Sequence, residues 1–75
     1  MPAERITVDS AIMGGRPCIR GLRFPVSRLL GLLAAGQTER EILENHPDLQ
    51  PDDIRAAMAY AAALADDRVI LLKSA

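Results

Sequence analysis

Seventy-five residues with a net charge of −1 fit one domain, and a chain this short buries only about 60% of the surface that its unfolded form exposes. The single cysteine, Cys18, excludes an intrachain disulfide, and with the single histidine, His46, it cannot make a structural zinc site. Apolar packing must therefore hold the fold. With Phe24 and Tyr60 as the only Phe and Tyr, and no Trp, that packing is aliphatic and thin, which implies a partner surface, most simply a second copy of the chain.

In chain order, residues 1–25 read as a small β element. Ile6 and Val8 alternate around Thr7, and Gly14-Gly15 suits a tight hairpin turn between Ile12-Met13 and Cys18-Ile19. Pro17 removes a ladder donor and puts any strand there at an edge, while Gly21 marks a second kink. A sheet of this size needs helices on one face.

Residues 26–66 read as three helices. Pro25 fixes the entry to the first, Ser27 is its expected cap, Val26, Leu29, Leu30 and Leu33 keep helical spacing, and Gly36 closes it. Gly31 inside it costs about 1 kcal/mol relative to Ala. Thr38 with Glu41 is a capping box for a short second helix that Pro47 ends. Pro51, followed by Asp52 and Asp53 in the dipole-favoured first turn, opens a longer third helix whose inward stripe is expected at Ile54, Ala57, Met58, Ala61, Leu64 and Ala65. Residues 67–75 contain Val69-Ile70-Leu71-Leu72, a short strand or arm suited to pairing with another chain. The fold class is thus mainly α: an N-terminal β-hairpin element, a three-helix bundle resembling a helix-turn-helix, and a C-terminal arm.

Charge divides along the chain. Residues 1–36 hold five arginines against two acids, a net +3, and residues 37–75 hold four basic against eight acidic groups, a net −4. Arg16, Arg20, Arg23 and Arg28 are the candidates for gripping a polyanion or an acidic protein surface, because guanidinium clamps phosphate and carboxylate bidentately. The competing assignment is internal pairing with Glu39, Glu41 or Asp48. Against DNA reading by the third helix stand Asp52 and Asp53 at the end where a recognition helix presents its base contacts. The face of that helix bearing Ala56, Ala59, Tyr60 and Ala63 is apolar as well, and is expected to be an oligomer or partner interface, where small side chains let helices approach.

Catalytic chemistry finds no support. Cys18 reads as a buried apolar-like residue, His46 as a helix-end residue, and the neighbouring acids Asp52-Asp53 and Asp66-Asp67 point about 100° apart on a helix and form no dyad. Gly14-Gly15-Arg16-Pro17 lacks the Lys-Ser/Thr ending of a phosphate loop. No enzyme activity, cofactor or metal is expected. Apolar runs far short of the ~20 residues that span a bilayer, and a start without a signal-like stretch, predict a cytoplasmic protein with no membrane association.

The run Gly14-Gly15-Arg16-Pro17-Cys18-Ile19-Arg20-Gly21-Leu22-Arg23-Phe24-Pro25-Val26 precedes an apolar helix ending at Gly36. Glu41-Ile42-Leu43 follows with Pro47 and Leu49, then Asp53-Ile54 with Ala56-Ala57 and Tyr60-Ala61. From about Ile6 to Ala65 this order resembles the family known as domain of unknown function 433. The resemblance implies a trihelical DNA-binding-like fold and the role of antitoxin in a bacterial toxin–antitoxin pair. It further implies a PIN-like ribonuclease toxin as partner; joined to the thin core, the apolar third helix and the arginine-bearing first third, it leads to the expectation of a homodimer that masks the toxin and binds its own operator DNA, the alternative being a dimeric protein-interaction module without DNA binding.

Overall fold

The computed structural model describes residues 5–67. Two short strands, β1 (Ile6–Thr7) and β2 (Cys18–Ile19), pair antiparallel with Ile6 opposite Ile19 and Thr7 opposite Cys18. Three helices follow: α1 (Val26–Ala34), α2 (Glu39–Asn45) and α3 (Pro51–Asp67). The expected architecture of a small hairpin leading into three helices is therefore the one observed. The Val69–Leu72 arm lies outside the described residues.

The hairpin differs in detail from the expectation. Gly14-Gly15 does not join Ile12-Met13 to Cys18-Ile19; Met13–Gly15 is a left-handed turn, with φ of 51°, 66° and 83°, within the connection from β1 to β2. The tight turn instead falls at Ile19-Arg20-Gly21-Leu22, where Leu22 N–H donates to the Ile19 carbonyl at 2.7 Å. Its central residues have positive φ, 45° at Arg20 and 72° at Gly21, the pattern of a type I′ turn that matches strand twist. Ile19 N–H then donates to the Phe24 carbonyl, and Cys18 forms a bridge with Pro25, so the chain returns along β2 before entering α1.

Ser27 is not the cap of α1. Pro25 holds that position without a side-chain hydrogen bond, and the Val26 N–H donates to the Pro17 carbonyl, so the β element satisfies the start of the helix. The other end is a Schellman motif: Gly36 at φ 96° donates to the Leu33 carbonyl and Gln37 to that of Leu32. At α2 both halves of the expected capping box form, Glu41 N–H to Thr38 Oγ1 at 3.1 Å and Thr38 N–H to Glu41 Oε1 at 2.8 Å.

Ile19, Phe24, Val26, Leu29, Ile42, Leu49, Ile54 and Ala57 form the core, drawing on β2, all three helices and the segments between them. Helix α3 is rotated about its axis relative to the expected stripe. Ile54 and Ala57 are buried as anticipated, but Ala56 and Asp53 are buried too and Tyr60 packs against the core, whereas Met58 and Leu64 are exposed. A buried Asp53 fixes this rotation, because with about 100° per residue the core-facing arc must then centre on Asp53, Ala57 and Tyr60.

Candidate macromolecule-binding surface

The four candidate arginines separate into different roles. Arg20 turns inward: its Nε donates to Asp53 Oδ1 at 3.0 Å, its Nη2 to Asp53 Oδ2 at 3.0 Å, and Nη2 also to the Asp48 carbonyl at 2.6 Å. Arg5 joins from before β1, with Nη1 donating to Asp53 Oδ1 at 2.8 Å and to Gln50 Oε1 at 3.0 Å. The Gln50 N–H, just ahead of α3, donates to Asp53 Oδ2 at 2.8 Å. Burial pushes the Asp53 carboxyl up, but the hydrogen bonds from Arg20, Gln50 and Arg5 outweigh it and hold the group below its ordinary value. Arg20 is raised in turn, chiefly by its hydrogen bond to Asp53.

The assignment of Arg20 to partner binding is therefore corrected: it is spent on tying β2 to α3. The objection that two acids guard the start of α3 is also halved, since Asp53 is enclosed and neutralised. Asp52 remains exposed, within 3.7 Å of Arg5. That end of α3 consequently presents near-balanced charge rather than a basic reading head.

Arg16, Arg23 and Arg28 are exposed, and among the described residues none forms an ion pair with a carboxylate. Arg28 lies over the Phe24 ring, its guanidinium carbon 4.7 Å from the centroid, in cation–π geometry. On the same ring the His46 imidazole packs edge-on at 5.1 Å. Arg23 lines a hollow of about 300 Å³ with Phe24 and His46. Arg28 is thus mounted on the Phe24 ring and Arg23 borders the hollow that this ring helps to line, while Arg16 lines a different recess together with Pro17.

That second place is an apolar groove of about 470 Å³ between the start of α1 and the last turns of α3. Val26 and Leu30 contribute from α1, and Tyr60, Ala61 and Leu64 from α3. On the proposed interface of α3, Ala59 and Ala63 are exposed as expected, but Ala56 is buried at 4% exposure and Tyr60 faces the core and the groove. Ala56 is therefore a packing residue, and the outward strip reduces to Ala59 and Ala63 beside Met58. Val69, Ile70, Leu71 and Leu72, the remaining interface candidates, lie outside the described residues.

Cys18 is buried with 2% exposure and packs as a small apolar residue, and His46 caps α2 through its backbone N–H to the Ile42 carbonyl. Among the described residues no group of three or more metal-ligating side chains gathers, and no helix is long and apolar enough to cross a membrane. Sequence reading did not single out Asp53 and Arg5 as anchors. The available signal was local: an acid at the third position of a helix, spaced to accept the N–H just before it.

A hairpin bound by a buried carboxylate to a three-helix bundle, with arginines mounted at its edge, defines the class of domain. The chain belongs to the DUF433 family, described as a protein of unknown function, whose model matches residues 6–61. It is 40% identical over 60 residues to the uncharacterized protein y4eO of Sinorhizobium fredii (strain NBRC 101917 / NGR234), covering 80% of this chain and 27% of that protein. The chain thus spans about a quarter of the length of that curated relative. The crystal structure of a DUF433 member from Anabaena variabilis ATCC 29413 superposes with a TM-score of 0.78 at 30% identity, covering 89% of this chain and 66% of the other.

Proposed function

We propose that this chain is a homodimeric, non-catalytic binding subunit of the antitoxin type, which masks a PIN-like ribonuclease and also holds operator DNA. The observation that carries this reading is the division of the arginines. Arg5 and Arg20 are consumed inside the fold, whereas Arg23 and Arg28 stand at the Phe24–His46 edge without an acidic partner among the described residues. Guanidinium groups held in place and left unpaired suit a phosphate backbone or an acidic protein surface. The exposed Ala59–Ala63 strip supplies an apolar contact for a protein partner.

The test has two arms. Added to a purified PIN-like ribonuclease of the same host, the chain is expected to form a stable complex and suppress RNA cleavage; failure to form one removes the antitoxin role. Titration into duplex DNA carrying the promoter is expected to show affinity falling steeply with salt, by about 0.9 log units per log unit of salt for each phosphate contact. The double variant Arg23→Ala/Arg28→Ala should flatten that slope.

One observation favours the second reading, a dimeric protein-interaction module without DNA binding: α3 opens with exposed Asp52, and Arg55 is its only basic residue among those described. Absence of DNA binding even at low salt would leave that module alone.

A further inference from the structure

We propose that the hollow between the 19–22 turn and the end of α2 holds an unstacked guanine base of a single-stranded nucleic acid, gripped by Arg23 on one edge and by Asp48 on the next. This rests on the reading of the edge bearing Arg23 and Arg28 as a nucleic-acid surface, and it gives that surface a base to recognise.

The hollow of about 300 Å³ is lined by Leu22, Phe24, His46 and Leu49 together with Arg23 and Asp48. Phe24 and Leu49 are buried and Leu22 and His46 half-buried, whereas the two charged residues are exposed. Aromatic and apolar side chains of this kind suit the faces of a planar base that has left its stack. Arg23 and Asp48 have opposite charges and line the same hollow, yet no ion pair joins them. The backbone on either side is fixed. Arg20 Nη2 donates across to the Asp48 carbonyl at 2.6 Å, Leu22 N–H closes one turn on the Ile19 carbonyl at 2.7 Å, and Leu49 N–H closes the other on the His46 carbonyl at 2.9 Å. A hollow held in this way takes its ligand with little ordering cost.

The two charges choose the occupant. A phosphate on Arg23 would also face Asp48, and a cation on Asp48 would face Arg23, so a ligand of either charge is opposed by one of the pair. A neutral ring with acceptors on one edge and donors on the next satisfies both. Guanine has that arrangement: O6 and N7 accept from a guanidinium fork, and N1–H with the N2 amine donates to a carboxylate. Adenine puts its N1 acceptor where the carboxylate needs a donor, and the pyrimidines have no N7. Because N1 and N2 are engaged in a base pair, the strand must be single or locally unpaired. Arg28, 4.7 Å from the centroid of the Phe24 ring, is at hand for a phosphate of the same strand.

The test is fluorescence anisotropy of short end-labelled thymidine strands with one central guanine, adenine, inosine or 7-deazaguanine, titrated with the full chain. Guanine is expected to bind about 10-fold tighter than adenine. Inosine lacks the N2 amine and 7-deazaguanine lacks N7, so each should lose part of that gain. Asp48→Ala should erase the penalty of inosine while affinity for the all-thymidine strand stays equal or rises, since a negative charge is removed. Arg23→Ala should erase the penalty of 7-deazaguanine. Asp48→Ala retains the backbone carbonyl bonded to Arg20, and an unchanged circular dichroism spectrum checks the fold. Repeating the series with ribose strands tells whether RNA or DNA supplies the base, and a guanine preference in either form supports the site. Equal affinity for every strand overturns it and leaves the arginines as backbone contacts. Displacement of the guanine strand by inorganic phosphate as readily as by guanosine monophosphate overturns it too, in favour of a plain anion site. Binding to promoter duplex but to no single strand overturns the base site and spares the DNA-binding reading; binding to neither overturns both.

Discussion

Arg20 occupies a left-handed backbone position at φ 45° while its guanidinium spans both oxygens of the buried Asp53 carboxylate. A non-glycine residue there costs about 1–2 kcal/mol, so the ion pair must more than offset the strain of the turn that aims it. Replacement by Ala keeps the strain and leaves a buried carboxylate short of partners, a loss of about 3 kcal/mol. Arg20→Gly loses the same pair but relieves φ, and should be about 1 kcal/mol less damaging than Arg20→Ala after glycine's own entropy cost. Urea midpoints of the two variants, compared at equal slope, read that difference; an Arg20→Gly variant less stable than Arg20→Ala would show that the turn is unstrained. The carboxylate also sets an acid limit. Because the folded-state pKa of Asp53 lies below its unfolded value, its contribution to stability is fully present above the unfolded value of about 4 and is lost as pH falls through the lowered folded one. Asp53→Asn should reduce stability at neutral pH and flatten its dependence on pH below about 4, which urea titrations at several acidic pH values would measure.

Among the elements, α1 carries a residue that the described fold does not require. A Cβ built at Gly31 meets nothing within 4 Å, and its φ is not in the left-handed region, so neither close packing nor backbone geometry explains the glycine. Gly31→Ala is expected to add about 1 kcal/mol and raise the melting temperature by about 4–8 °C, whereas Gly36→Ala should lower it because φ there is 96°. A loss at Gly31 would instead place another surface against that side of α1. The same elements show which features were legible in the sequence. Thr38 with Glu41, Gly36 after α1 and Pro51 at the start of α3 were readable because each acts within a few residues of itself. Arg20 was misread as a free cation because its partner is 33 residues away, and only the closed fold brings Asp53 to it. Gly14-Gly15 drew the hairpin turn by composition, yet a positive-φ pair was also available at Arg20-Gly21, and the buried pair favours that turn over the glycines. Helix α3 was misoriented because alanine fits either side of a helix, so its many alanines left Ile54, Met58, Tyr60 and Leu64 to define a stripe that two rotations satisfy.

Across the whole molecule, α3 offers two apolar surfaces in different directions. Ala59 and Leu64 are five residues apart, which places them about 140° from one another around the helix axis. Under the proposed homodimer, the groove at Leu64 is the expected contact between copies and the Ala59–Ala63 strip the expected contact with the ribonuclease. Charge placed on either surface should then break one association and spare the other. Ala59→Glu lies on an exposed position, where substitution changes stability by only about 0.5 kcal/mol, and is expected to leave the elution volume of the dimer unchanged while weakening capture of the ribonuclease. Leu64→Glu should do the reverse at the dimer: it puts a carboxylate into an apolar groove, where burial without a partner is costly, and so shifts elution to monomer. If Ala59→Glu dissociates the dimer and Leu64→Glu does not, the copies meet through the outward strip, and the groove belongs to the other partner.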